Sequence, residues 1–164
     1  MHRVEETLLA GDATDVAPDL LGMYLALGDR LVQIVEVEAY TMDDPASHSF
    51  RGRTPRNSVM FGPPGVLYVY LVYGIHHCVN LVTGPEGDGQ AVLIRGGIVA
   101  GLARTAADGP GKLARALGVD LSWNGRSAAV FRAGRAPAMG VIATPRIGIS
   151  RAVDWPRRWV ATGL

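Results

Sequence analysis

Two stretches of the chain carry the clearest pattern of apolar and polar positions. Residues 31–40 (LVQIVEVEAY) alternate apolar and polar side chains, which is typical of a strand with one buried face. Residues 66–82 (VLYVYLVYGIHHCVNLV) form the longest β-type run, and it is interrupted at Gly74. Glycine within such a run marks a sharp bend, so this segment predicts two strands of a hairpin.

The remaining pattern predicts short elements joined by turns. Residues 14–21 are typical of a helix capped by Thr14 or Asp15, and residues 110–118 of a helix that ends at Gly118. Further short strands are predicted at 23–27, 91–95, 140–143, 147–149 and 158–160. Together these elements predict an α+β fold with a mostly antiparallel sheet and few, short helices.

A long connection, residues 41–65, separates the two strongest strand signals. It is rich in proline and small polar residues, and it contains Arg51, Arg53 and Arg56. Loops of this length inside a compact domain are commonly functional. The loop is therefore the first place to expect a site.

Length and composition limit the class of protein. A chain of 164 residues is the size of one domain, so residues 1–164 are predicted to form a single unit. Cys78 is the only cysteine, which excludes an intrachain disulfide and suits a reducing compartment. The chain has neither an apolar run long enough to span a bilayer nor an apolar N-terminal segment. An intracellular protein (cytoplasm or nucleoid) without a membrane partner is expected.

The net charge of +1 conceals a strong asymmetry. Residues 1–50 contain ten acids and two bases, whereas residues 51–164 contain five acids and fourteen bases. Fifteen of the sixteen bases are arginine, and Lys112 is the only lysine. Clustered arginine suits phosphate recognition, although a G+C-rich genome would give the same bias.

Strand 31–40 also holds a candidate catalytic carboxylate. Alternation places Glu36, Glu38 and Tyr40 on one face, opposite Val35, Val37 and Ala39. A solvated strand face explains this pattern equally well. Because Glu38 and Tyr40 lie where the strand enters the long loop, however, a general base at Glu38 is a reasonable hypothesis.

Other residues admit both a structural and a functional interpretation. His48 can be a surface histidine or a ligand contact, and the tip at Tyr73 and Ile75 can be an ordinary turn or a wedge between base pairs. Residues 109–112 (GPGK) can be a simple helix entry or a phosphate-binding helix end. His76 and Cys78 share a strand face, but two ligands do not make a metal site, so none is predicted.

Four blocks resemble the vertebrate-type, monofunctional alkyladenine (3-methyladenine) DNA glycosylase family. They occur in family order and are EVEAY (36–40), ASHSFRGRTPRNSVMFGPPGVLYVYLVYGIHHCVN (46–80), GPGKLARALG (109–118) and RIGIS (146–150). The resemblance implies a curved antiparallel sheet with a hairpin projecting into the DNA minor groove. It also implies base-excision repair, in which a damaged purine is flipped out of the duplex and its N-glycosidic bond is hydrolysed.

The resemblance assigns roles to individual residues. Glu38 would activate the attacking water, with Arg95 and the backbone of Ile147 helping to hold that water. Tyr40, His48 and Tyr70 would enclose the flipped base, and Asn80 would exclude normal guanine by crowding its 2-amino group. Tyr73 and Ile75 would occupy the duplex, while the expected DNA-backbone contacts are Arg51, Arg53, Arg56 and Lys112.

The same resemblance implies that no cofactor is needed and that the protein acts as a monomer on double-stranded DNA. A strand-cleaving glycosylase attacks with an amine, and the only lysine lies in the GPGK motif. Hydrolysis without lyase activity is therefore expected. Substrates of the family include 3-methyladenine, 7-methylguanine, hypoxanthine and ethenoadenine, and sequence does not rank them.

Two other functions remain open at this point. A DNA-lesion-binding module without catalysis would use the same basic, aromatic hairpin. A small-molecule glycoside hydrolase could use Glu36 and Glu38 as its carboxylate pair. Glu38 separates the first alternative from the enzyme, because a pure binder has no reason to place a carboxylate near phosphates.

Overall fold

An antiparallel sheet and three short helices organise the chain, as the α+β prediction required. The computed structural model describes residues 1–133 and 139–164. Nine strands lie in the described ranges: β1 His2–Arg3, β2 Tyr24–Leu27, β3 Arg30–Tyr40, β4 Leu67–Val72, β5 His76–Thr83, β6 Gln90–Val99, β7 Ala129–Arg132, β8 Gly140–Thr144 and β9 Arg158–Thr162. The helices are α1 Glu6–Leu9, α2 Ala13–Leu20 and α3 Pro110–Leu117, with 3₁₀ turns at Ser58–Phe61, Arg104–Ala107 and Leu121–Trp123.

Strand β3 is the centre of the sheet. The strand order in the sheet is β1-β7-β2-β3-β6-β5-β4, and neighbouring strands along this path are antiparallel. One edge of β3 pairs with β6, whereas the other edge is shared, first by β2 and then by β9 around Glu36–Glu38. Off this path, β9 pairs with β3, and β8 pairs with β9. The strand that carries the candidate carboxylate is therefore bonded on both sides.

A register shift in β3 changes which residues face the core. The pairing with β6 slips between Ile34 and Val37, with Glu36 opposite Gly96. Val32 and Ile34 face the core before the shift, and Val37 and Ala39 face it afterwards. A bulge inserts one residue and so reverses the alternation. The prediction that Val35 shares one face with Val37 and Ala39 is wrong, because Val35 lies at the shift itself, between Ile34 and Glu36, and is only half-buried.

Helices α2 and α3 cover the sheet and complete the core. Val16, Leu20, Leu113 and Leu117 pack in one cluster with the apolar side chains of β2, β3 and β6. These residues recur at helical spacing, so each short helix buries one face. Helix α3 ends at Gly118 in the left-handed conformation (φ 66°), as predicted.

Three local predictions need correction. Helix α2 is capped by Asp12, whose side chain accepts from the Thr14 backbone N–H at 2.9 Å, and not by Thr14 or Asp15. The segment 147–149 forms bends and no strand, so its amides remain outside the sheet. The predicted strand 91–95 is longer, because β6 continues through a glycine pair to Val99.

The hairpin of β4 and β5 closes with a tight turn. Val72 pairs with His76, and the Ile75 N–H donates to the Val72 carbonyl at 3.2 Å. Both central residues have positive φ, 53° at Tyr73 and 69° at Gly74, which is the type I′ geometry of hairpins. The tip thereby places the Tyr73 and Ile75 side chains in solvent, 88% and 69% exposed. In the described residues, no helix is long and apolar enough to cross a membrane.

The close approach of β6 to β3 yields a stability prediction. A Cβ on Gly97 would lie 2.2 Å from Val32 Cγ2 and 2.9 Å from the Gln33 carbonyl oxygen. Gly97→Ala is expected to lower the free energy of unfolding by about 1–3 kcal/mol, measured by urea denaturation. The control Gly109→Ala, which meets no atom within 4 Å, should lose less than about 1 kcal/mol. Equal stability of the two variants would contradict the close approach.

Candidate active site

A cavity of about 610 Å³ opens beside the β4–β5 hairpin. The end of β3, the loop that follows it, the inner faces of β4, β5 and β6, and the segment after β8 all contribute to its lining. Its lining residues include Glu38, Tyr40, His48, Phe50, Arg51, Tyr68, Tyr70, Tyr73, Cys78, Asn80, Arg95, Ile147 and Arg151. Residues that are far apart in the sequence thus surround one space.

Glu38 is a fully buried carboxylate held by three groups. The Tyr40 hydroxyl donates to its Oε1 at 2.7 Å, and the Ile147 backbone N–H donates to its Oε2 at 2.9 Å. The Arg95 Nη1 lies 3.5 Å from the same Oε2. A buried charge is tolerated only when it is paired and hydrogen-bonded, and these donors meet that requirement. They also fix the direction in which the carboxylate faces the cavity.

Glu36 lies on the same face but has a different environment. Its Oε1 accepts from Arg95 Nε at 2.9 Å and from Arg158 Nε at 2.8 Å. Only 16% of its side chain is exposed, so the interpretation of Glu36 and Glu38 as a solvated strand face is wrong. Glu36 holds Arg95 in place, and Arg95 in turn reaches Glu38.

Tyr40 closes one side of the cavity. Burial first, and then the negative charge of Glu38, raise the pKa of Tyr40 well above its usual range. The hydroxyl therefore stays protonated and acts as a donor to Glu38. The Arg146 guanidinium, itself buried against Asp44, lies 4.8 Å from the centre of the Tyr40 ring.

An aromatic group lines the cavity on the side of β4. The His48 and Tyr70 rings are 4.5 Å apart between centroids, and Tyr68 lies 5.4 Å from Tyr70. Burial, with Arg56 nearby, lowers the pKa of His48 below its usual value, so the ring is neutral at pH 7. Burial raises the pKa of Tyr68 to about 12. The two side chains share a hydrogen bond of 2.9 Å between His48 Nδ1 and the Tyr68 hydroxyl.

Buried polar contacts fix the loop that presents His48. Asp44 forms a two-pronged ion pair with Arg146, and Arg146 also donates to the Ala39 carbonyl at 3.1 Å. Asn57 Nδ2 donates to the His48 carbonyl at 2.9 Å. The Asp44–Arg146 pair joins the loop to the residue that precedes the Ile147 amide. The loop and the Glu38 donor are therefore held by one buried network.

Asn80 and Cys78 line the cavity from β5. Asn80 is 3% exposed, and its Nδ2 donates to the Tyr68 carbonyl at 3.1 Å. Burial raises the pKa of the Cys78 thiol, which keeps it protonated and poorly nucleophilic at neutral pH. In the ranges that the structure describes, no cluster of three or more His, Cys, Asp or Glu residues is placed to hold a metal.

The predicted phosphate contacts occupy different positions. Arg51 is exposed and lines the cavity, whereas Arg53 and Arg56 are exposed in the same loop outside the lining. Lys112 pairs with Asp108 at 2.8 Å, four residues earlier. The neighbouring Gly111 packs against β5, since a Cβ there would lie 2.9 Å from His76 Nδ1. This contact supports the interpretation of the GPGK motif as a helix entry.

Comparison with known proteins now identifies the family. Residues 7–164 match the family model described as "Methylpurine-DNA glycosylase (MPG)". The chain belongs to this family. The resemblance found in the four sequence blocks is thereby confirmed.

Relatives within the methylpurine-DNA glycosylase family are similar over most of their length. The relatives compared carry the name "Putative 3-methyladenine DNA glycosylase". A protein of Rhodopseudomonas palustris (strain BisB18) is 47% identical over 98% of this chain and 88% of its own. One from Cutibacterium acnes is 45% identical over 92% of each chain, and one from Methanoculleus marisnigri is 44% identical over 93% and 91%.

The structure brings most of the predicted site residues of this family member to one cavity. Ile75 lies on the tip beside Tyr73 and outside the lining, and Ile147 contributes its backbone N–H. The sequence pattern did not reveal the Asp44–Arg146 pair, nor the hydrogen bond between the Tyr68 hydroxyl and His48. Asp44 and Arg146 are 102 positions apart, so no local pattern could have linked them.

The lowered pKa of His48 predicts a pH effect on stability. Because the folded protein favours the neutral ring, His48 contributes stability above its unfolded pKa of about 6.5. That contribution is lost as the pH falls through the folded pKa. His48→Gln, which can still accept from Tyr68, should show a smaller fall in unfolding free energy between pH 7.5 and pH 5.5 than the wild type, measured by urea denaturation. The exposed His2→Gln serves as control, and an unchanged pH dependence in His48→Gln would argue against the assignment.

Proposed function

We propose that the protein is a monofunctional DNA glycosylase of base-excision repair. It flips alkylated or deaminated purines out of duplex DNA, hydrolyses the N-glycosidic bond and leaves an abasic site. The observation that carries this proposal is the buried Glu38 carboxylate at an aromatic-lined cavity, held by Tyr40, Arg95 and the Ile147 amide. Family membership makes DNA the substrate class.

Glu38 suits the role of a general base. A water molecule attacks the anomeric carbon C1′, Glu38 accepts one of its protons, and the purine departs with the bonding electrons of the glycosidic bond. The sugar becomes positively charged as that bond breaks, and a fixed carboxylate stabilises this charge. Donors on both Glu38 oxygens hold the carboxylate in one orientation, so little reorganisation accompanies the reaction.

The aromatic lining suits an alkylated purine. The rings of His48, Tyr70 and Tyr40 line the same space, and methylated purines carry positive charge or are electron-poor. Such bases stack more strongly on aromatic faces than normal bases do. A neutral His48 adds no repulsion toward a cationic base. Asn80 lines the same cavity and is fixed by its bond to the Tyr68 carbonyl, which supports the proposal that it crowds the 2-amino group of guanine.

The surroundings of the cavity suit a duplex. The exposed Tyr73 and Ile75 lie at a tight turn and suit the role of a wedge that fills the space of the flipped nucleotide. Arg51, Arg53 and Arg56 are exposed in the loop after β3 and supply positive charge for phosphates, and Lys112 adds to them once it is released from Asp108. We expect a monomer that acts on DNA inside the cell and needs no cofactor.

The two alternative functions have less support. If the protein only bound lesions, the buried Glu38 carboxylate in the cavity, with a donor on each oxygen, would have no role. A glycoside hydrolase would use Glu36 as its second carboxylate, but two arginines bind the same oxygen of Glu36. A carboxylate engaged in this way is poorly suited to act as nucleophile or acid.

Replacing the proposed base tests catalysis directly. Glu38→Gln keeps the size of the side chain but removes the proton acceptor. Base release from duplexes with single lesions, read by cleavage at the abasic site, should slow by about 10²–10⁴-fold. Binding should persist or tighten, because a negative charge near DNA is removed. The exposed Glu86→Gln gives the same chemical change away from the cavity, and a near-wild-type rate for Glu38→Gln would refute the role.

The hairpin tip gives a second test of the function. Tyr73 has φ 53°, a conformation that glycine adopts without strain, so Tyr73→Gly should keep the turn and the melting temperature. Loss of the wedge should weaken binding to lesion duplex about tenfold or more, measured by fluorescence anisotropy. Tyr73→Phe should retain binding. Wild-type affinity in Tyr73→Gly would show that the tip does not enter the duplex.

A further inference from the structure

Two aromatic side chains stand out by their exposure. Among the phenylalanines, tyrosines and tryptophans of the described ranges, Phe50 and Tyr73 are the most exposed, at 41% and 88%. Both line the same cavity, although one comes from the loop after β3 and the other from the β4–β5 tip. Exposed aromatic surface at a cavity mouth is typical of a contact site. Tyr73 already has a proposed role, and Phe50 has none.

The backbone that presents Phe50 is fixed. The Phe50 N–H donates to the Ser47 carbonyl at 3.2 Å, and the Gly52 N–H donates to the Ser49 carbonyl at 2.8 Å. Ser49 is fully buried, and its hydroxyl donates to the Gly89 carbonyl at 2.7 Å. Two successive turns tied to the body of the protein therefore hold the ring outward. Its exposure is a feature of an ordered segment.

The charges near Phe50 indicate what the ring would meet. The charged side chains of the cavity lining are the buried Glu38 and three arginines, Arg51, Arg95 and Arg151. Arg51, next to Phe50, and Arg151 are both exposed. An apolar ring beside cations suits a ligand that combines anionic groups with flat or apolar faces, and a nucleotide has both.

We propose that Phe50 packs against the sugar and base of the nucleotide that flanks the flipped one. Phe50 and His48 line the same cavity, and the Phe50 ring is exposed, so a nucleotide next to the one bound beside His48 would meet that ring. The contact adds affinity for distorted DNA without adding a charge. This inference rests on the proposed function, because it requires a nucleotide to be flipped into the cavity.

The test compares two alanine variants of equally exposed residues. Phe50→Ala removes the ring, and Leu102→Ala removes an apolar side chain that is also 41% exposed but lies outside the cavity lining. The probe is a fluorescein-labelled duplex containing a single hypoxanthine. Phe50→Ala should bind it about tenfold more weakly than the wild type, with an unchanged salt dependence because no phosphate contact is lost. Phe50→Trp should restore affinity, and Leu102→Ala should bind as the wild type does.

A catalytic measurement separates this role from a general structural one. With the enzyme saturating, Phe50→Ala should release base at a single-turnover rate within about threefold of the wild type, since Glu38 and its donors are untouched. Wild-type affinity in Phe50→Ala, or an equal loss in Leu102→Ala, would overturn the inference. If the wild type itself releases no base from any lesion duplex, the proposed function fails instead, so the two failures are distinguishable.

Discussion

Burial of the Glu38 carboxylate is the constraint on which the site depends. A charged group without solvent needs several donors, and here they come from distant parts of the chain: the Tyr40 hydroxyl, the Arg95 guanidinium and the Ile147 amide. Two of these donors are in turn held in place by ion pairs. Glu36 fixes Arg95, and the Asp44–Arg146 pair fixes the segment that holds the Ile147 amide. The same groups that make burial possible therefore also set the direction of the carboxylate.

The sheet makes this arrangement available through an irregularity. The register shift in β3 lets Val32, Ile34, Val37 and Ala39 all face the core, while Glu38 faces the cavity. On the opposite edge, β9 pairs with Glu36–Glu38 where β2 no longer reaches. Bulges bend and twist strands locally, and here the bend lies next to the proposed catalytic residue. The failed prediction for Val35 and the formation of the site thus have one cause.

At the hairpin tip, the residue that suits the proposed function is not the one that the backbone conformation favours. A type I′ turn prefers glycine or asparagine at both central positions, but the first is a tyrosine with φ 53°. A bulky side chain in that conformation has a cost of about 1 kcal/mol or more. Nothing within the described protein covers the Tyr73 ring, which is 88% exposed, so its placement contributes little to folding. An external contact such as DNA gives the placement a physical reason.

The amino-acid pattern was sufficient for the fold class, the β4–β5 hairpin, the helix at 110–118 and the resemblance that pointed to Glu38, Tyr40 and His48. These features rest on local periodicity, turn residues or continuous motifs, which neighbouring residues encode together. Only the tertiary structure placed Arg146 against Asp44, Tyr68 against His48, and Glu36 between Arg95 and Arg158. It also showed that residues 147–149 form no strand and that the Ile147 amide, which lies outside the sheet, donates to Glu38. Such contacts join residues that are tens of positions apart, and their partners are chosen by burial and by the need to satisfy buried charges, neither of which a local pattern records.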